Sequence, residues 1–64
     1  MLMNFEAERA RHGLTKTEMS DLMGVTLKTY AMWIQEKSPI PSNKLMELKK
    51  QWGVSIDYLL ETDS

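Results

Sequence analysis

The chain has 64 residues, no cysteine and a formal charge of -1, from eight Lys and Arg against nine Asp and Glu. A chain this short buries only about 60% of its unfolded surface, so it is expected to form one domain over its whole length, with little room for an enzyme pocket. Disulfides and thiolate metal sites are excluded, and no apolar run approaches the roughly 18 residues of a membrane span, so a cytoplasmic protein stabilised by helix packing is expected.

The first stretch, from about Leu2 to His12, reads as a helix with Phe5 and Ala10 inward, Arg9 and Arg11 near its end, and Gly13 as its stop. His12 is expected to be solvated and to interact with the helix dipole, with no metal or catalytic role. A second helix should start at Thr15, a good N-cap, because Glu18 three residues later completes a capping box. Met19, Leu22 and Met23 then form an apolar stripe. Gly24 breaks the pattern where a left-handed backbone is cheap only for glycine. Thr26 can cap a third helix, to about Gln35, with Tyr30, Trp33 and Ile34 turned inward.

The spacing leaves Leu27, Lys28, Ala31 and Met32, with Gln35 one turn on, on the outer face of the third helix. A monomer rarely gains by exposing Leu27, Ala31 and Met32 together, so this patch should have a partner. A phase error of one residue would instead bury Leu27 or Met32. The prolines of EKSPIPS end the helix, and Ser42 can cap a fourth, about Asn43 to Trp52, with Leu45, Leu48 and Trp52 inward and Lys49 and Lys50 in solvent. Gly53 stops it, Ser55 caps a last turn, and Ile56, Leu59 and Leu60 are expected to close the core.

Two helices joined by so short a turn must cross steeply, with a small residue at the crossing, and Ser20 fits. From Lys16 as first position, the segment of about residues 15–35 has a small residue fifth (Ser20), glycine ninth (Gly24), and apolar residues fourth, eighth, tenth, fifteenth and eighteenth (Met19, Met23, Val25, Tyr30, Trp33). This pattern resembles the helix-turn-helix domains of the Cro/repressor (XRE) family. The likeness covers nearly the whole chain, through Phe5, Arg9, Gly13 and Leu14 at one end and LMELKKQWGVSIDYLL at the other.

The resemblance implies a compact, all-α, five-helix, lambda-repressor-like domain that binds double-stranded DNA as a Cro-like transcriptional repressor. It also implies a homodimer, formed through the end that carries Tyr58, on a palindromic operator. The third helix would enter the major groove, with Leu27, Lys28, Ala31 and Met32 as base readers. Apolar side chains there can meet thymine methyls, and Lys28 can donate to guanine, for about 1–3 kcal/mol per well-formed contact. Thr15, Lys16, Thr17, Thr29, Lys37, Ser42, Asn43, Lys44 and Arg9 are the phosphate candidates.

Four positions depart from the family pattern. Lys16 replaces the usual Gln, and Ile34-Gln35-Glu36 replaces the usual Glu-Arg-Gly, so Glu36 stands where Gly is usual and Ile34 occupies the place of the Glu that pairs with Arg9. Arg9 is therefore either free to reach DNA or a plain surface arginine.

The acidic balance fits poorly with a nucleic-acid binder. Its distribution fits better, because Glu6, Glu8, Asp57, Glu61 and Asp63 lie towards the ends, whereas Lys16, Lys28, Lys37 and Lys44 lie in or just after the motif. A molecule with one basic face is expected. The rival reading is a protein-interaction module, anti-repressor or antitoxin-like, that uses Leu27, Ala31 and Met32. Neither reading needs a metal, a cofactor or a small-molecule ligand, and no glycine-rich phosphate loop, zinc-spaced set or nucleophile–base pair is present.

Overall fold

The computed structural model describes residues 1–61, which form five helices: α1 (Met3–Arg11), α2 (Lys16–Leu22), α3 (Leu27–Ile34), α4 (Ser42–Trp52) and α5 (Ile56–Leu59). Three of the starts are hydroxyl caps. Thr15 Oγ accepts the Glu18 N–H at 3.1 Å while the Glu18 carboxylate accepts the Thr15 N–H at 2.8 Å, which completes the expected capping box. Thr26 and Ser55 cap α3 and α5 by accepting the N–H groups of Thr29 and Tyr58, each at 3.1 Å.

The start of α4 corrects the sequence reading. Pro41, not Ser42, takes the cap position, and no side chain caps the helix. A cap residue needs extended backbone, and Pro41 with φ -57° and ψ 139° supplies it one residue early. Its carbonyl then accepts from the N–H groups of Lys44 and Leu45 at 3.0 and 3.3 Å.

The ends of α2 and α3 share one turn geometry. Gly24, at φ 70°, donates its N–H to the Asp21 carbonyl at 3.1 Å, and Val25 donates to Ser20 at 3.0 Å. Glu36 donates to Trp33 at 3.0 Å and Lys37 to Met32 at 2.9 Å, with Glu36 at φ 61°. This double hydrogen bond around a left-handed residue is the Schellman arrangement, which glycine adopts without strain and glutamate does not.

The core consists of Leu2, Phe5, Met19, Met23, Tyr30, Trp33, Ile34, Leu45, Leu48 and Leu59. α2 packs on α3, α1 packs on both α3 and α5, and α4 packs on α5. The Leu2 N–H donates to the Ile34 carbonyl at 2.9 Å, and Asn4 Nδ2 donates to the Tyr58 carbonyl at 3.0 Å. α1 is thus pinned to the end of α3 and to α5. Ser20 is buried, and its hydroxyl donates to the Thr17 carbonyl at 2.8 Å, so the small residue between the helices leaves no polar atom unmet.

Three expected core residues lie elsewhere. Ala10 is exposed because the buried face of α1 is centred on Phe5 and flanked by Leu2 and Glu8 at three-residue spacing. Leu22 is 47% exposed, since the inward face of α2 runs through Met19, Ser20 and Met23 and turns Leu22 about a third of a turn away. Leu60, at 40% exposure, lies on the rim of a groove rather than in the core.

Candidate nucleic-acid interface

The outer face of α3 has the orientation read from the sequence: Leu27 and Lys28 are exposed, Ala31 and Met32 are half-buried, and Tyr30, Trp33 and Ile34 are buried. Thr26 and Gly24 fix this face. The turn at Gly24 brings α3 back against α2, and the Thr26 cap sets where its first turn begins. Thr26 Oγ donates to Thr29 Oγ at 3.0 Å, which leaves the half-buried Thr29 a hydroxyl hydrogen to give outward.

Lys16, on the first turn of α2, shares a groove of about 360 Å³ with Ala31 of α3 and with Gln35 just after it, and its inner wall includes Glu6, Arg9, Tyr30 and Ile34. A base-reading candidate and two phosphate candidates therefore meet in one place. Lys44 is half-buried, and its Nζ lies 3.6 Å from where a Cβ on Gly24 would stand, so its charge rests on the α2–α3 turn. Ser42 and Asn43 are exposed at the uncapped start of α4, and Thr17 is exposed on α2. Lys37 lies apart from these, in a second groove of about 500 Å³ with Leu2, Trp33, Ile40 and Leu45. The Thr15 hydroxyl oxygen is engaged in its cap.

The charges are arranged differently from expectation. Both arginines are held by glutamates one turn earlier on their own helix: Arg9 Nε lies 2.6 Å from Glu6 Oε2, and Arg11 Nη2 lies 2.8 Å from Glu8 Oε2. Arg9 also donates from Nη1 to the Leu14 carbonyl. It is neither free nor a plain surface residue. The Arg11 guanidinium holds the Glu8 carboxyl below the usual carboxylate range, and this pairing explains why a carboxylate can lie in the buried face of α1.

Among the described residues no lysine forms an ion pair. Within α1 the charges cancel, and the rest of the chain sets six lysines against seven carboxylates, Glu18 and Asp21 of α2 among them, so any basic face depends on where these lysines stand and not on an excess of them. Asp63 lies outside the described residues.

His12 is more than solvated. Its Nδ1 lies 2.8 Å from the Glu8 carbonyl, and its ring stacks on Trp52 at 4.2 Å and 15°. The Glu6–Arg9 and Glu8–Arg11 pairs were legible from three-residue spacing within a helix, the signal that would have located Arg9. Gln35 gave no such signal, because its place beside Lys16 depends on how α3 ends against α2.

A capped helix, a left-handed glycine turn and a second capped helix whose outer face is left open define a helix-turn-helix unit. No helix of the described residues is long and apolar enough to cross a membrane. A family model described as helix-turn-helix matches residues 5–59, and the chain belongs to that family, the XRE type of DNA-binding, transcription-regulating domain. No curated protein and no solved structure matches it.

Proposed function

We propose that the chain is a sequence-specific regulator of transcription, a Cro-like repressor that acts by occluding its site, with residues 1–64 as a single domain. The observation that carries this reading is the outer face of α3, where Leu27 and Lys28 stand exposed beside Ala31 and Met32. α3 lies in the major groove, and these four side chains meet base edges. Lys16, Thr17, Thr29, Lys44, Ser42 and Asn43 hold the backbone, with the free N–H groups at the uncapped start of α4 directed at a phosphate. Two copies pair through the end that carries Tyr58, which is 37% exposed, and read a palindrome.

The test is selection from random duplex DNA at about physiological salt, with Leu27→Ala and Lys16→Ala proteins alongside. An enriched palindrome is expected, with changed base preference for Leu27→Ala and uniformly weaker binding for Lys16→Ala. Failure of any sequence to enrich overturns the reading.

A second reading draws on the half-exposure of both Leu22 and Leu27, at 47% each, on either side of the turn. These could serve a protein partner, as in an anti-repressor or antitoxin. Binding to duplex DNA that is insensitive to salt, or absent, together with a salt-insensitive protein complex, would favour it, because phosphate contacts make DNA binding steeply salt-dependent.

A further inference from the structure

Arg9 sits in the wall of the groove that opens beside Lys16, Ala31 and Gln35, yet its charge is already matched by Glu6. We propose that Glu6 is a latch: its carboxylate occupies Arg9 as an internal stand-in for a DNA phosphate, and an Arg9 released from it gives the groove one more cation for the backbone. This rests on the DNA-binding reading above and concerns the strength of its grip.

Three observations support the latch. First, the pair is close and sheltered, at 2.6 Å with side-chain exposures of 17% for Arg9 and 13% for Glu6, so solvent does little to weaken it. Carboxylate and phosphate are the two anions that a guanidinium grips with the same donors, so one can substitute for the other.

Second, Arg9 is held on one side only by an anion. Its other anchor is the neutral Leu14 carbonyl, which remains available whether or not Glu6 does. A phosphate at the mouth of the groove competes with Glu6 alone.

Third, the Tyr30 hydroxyl is buried against the pair, interacting with both Glu6 and Arg9 but with no hydrogen bond of full geometry to either. Burial pushes its pKa up, so the hydroxyl keeps its hydrogen. When Arg9 turns to a phosphate, the Tyr30 O–H can donate to the Glu6 carboxylate. The carboxylate is then not stranded, which is the usual cost of opening a sheltered ion pair.

The experiment is duplex binding against salt for three proteins: wild type, Glu6→Gln, and Glu6→Gln with Arg9→Ala. Glu6→Gln should bind more tightly at low salt, and its slope of log affinity against log salt should steepen by about 0.9, the share of one extra phosphate contact. Adding Arg9→Ala should restore the wild-type slope. A folded Glu6→Gln protein with unchanged slope, or with weaker binding, overturns the latch and leaves the pair a staple between α1 and the turn that follows.

If Glu6→Gln loses its helical signal, Glu6→Ala, which keeps helix propensity, decides instead: a slope steeper by about 0.9 supports the latch, and an unchanged slope overturns it. Wild-type protein that binds no duplex at any salt overturns both this inference and the function on which it rests.

Discussion

Glu36 is the residue at which local preference and observed structure disagree most. A non-glycine residue in the left-handed region carries a cost of about 1–2 kcal/mol. Its ion pair with the amino terminus, 2.8 Å long between two well-exposed groups, offsets little of that. Glu36→Gly is therefore expected to stabilise the protein by about 1 kcal/mol, raising the thermal midpoint by about 4–8 °C.

Glu18 and Glu8 make a second prediction at the same scale. The hydrogen bond from the Thr15 N–H lowers the Glu18 pKa, and the hydrogen bond from Arg11 lowers that of Glu8. A carboxyl whose folded pKa lies below its unfolded value stabilises fully above the unfolded pKa and loses that contribution as pH falls through the folded one. Urea midpoints should therefore drop across the acid range, roughly pH 5 downward, and Glu18→Gln should flatten part of that drop. Glutamine keeps the capping geometry but not the charge.

At the scale of the element, α2 separates what local sequence can show from what it cannot. Its cap, its end and the orientation of α3 were all legible because each depends on residues within a turn or two: Thr15 with Glu18, Gly24 with Ser20, Thr26 with Thr29. The inward set of α2 was legible only in part. Met19, Met23 and Ser20 at the crossing were read correctly, but Leu22 turns outward, because the close approach of α3 falls on the Ser20 side of the helix. Met19→Ala should cost about 2–5 kcal/mol in chemical denaturation, whereas Leu22→Ser should stay within about 0.5 kcal/mol.

The same reasoning covers the remaining misses. Glu8 displaced Ala10 from the buried face of α1 because Arg11 satisfies its charge, a fact about a side-chain partner that an apolar pattern does not contain. Ser42 lost the cap of α4 to Pro41, whose fixed backbone already had the needed shape. Within the candidate interface, the outward residues of α3 were legible from periodicity, but the meeting of Lys16 with Gln35 and Arg9 required three helices to be in place.

For the whole molecule, net charge is a poor guide to the field that a partner meets. Glu6 and Glu8 hold Arg9 and Arg11 within α1, whereas among the described residues no lysine has an ion-pair partner, so the accessible cations are the lysines, set among a slightly larger number of carboxylates. A salt titration of Lys16→Ala against wild type should show the slope of log affinity fall by about 0.9, whatever the duplex sequence. The latch at Glu6 predicts a change of the opposite sign, so the two substitutions measured together test how the charge is distributed.

The pairing of α1 with α5 also bears on the order of assembly. Asn4 reaches Tyr58 across 54 residues of sequence, whereas α2 and α3 meet across a single turn. A chain emerging from the ribosome can bring α2 and α3 together early, since closing a short loop costs little entropy. Its first helix must wait for its last. Until α5 arrives, Phe5 and Leu2 have lost part of their cover, and the nascent chain carries a nearly complete recognition unit on an unfinished core. Readiness to grip DNA is therefore tied to the arrival of α5, because α1, which steadies the end of α3, takes its own support from that helix.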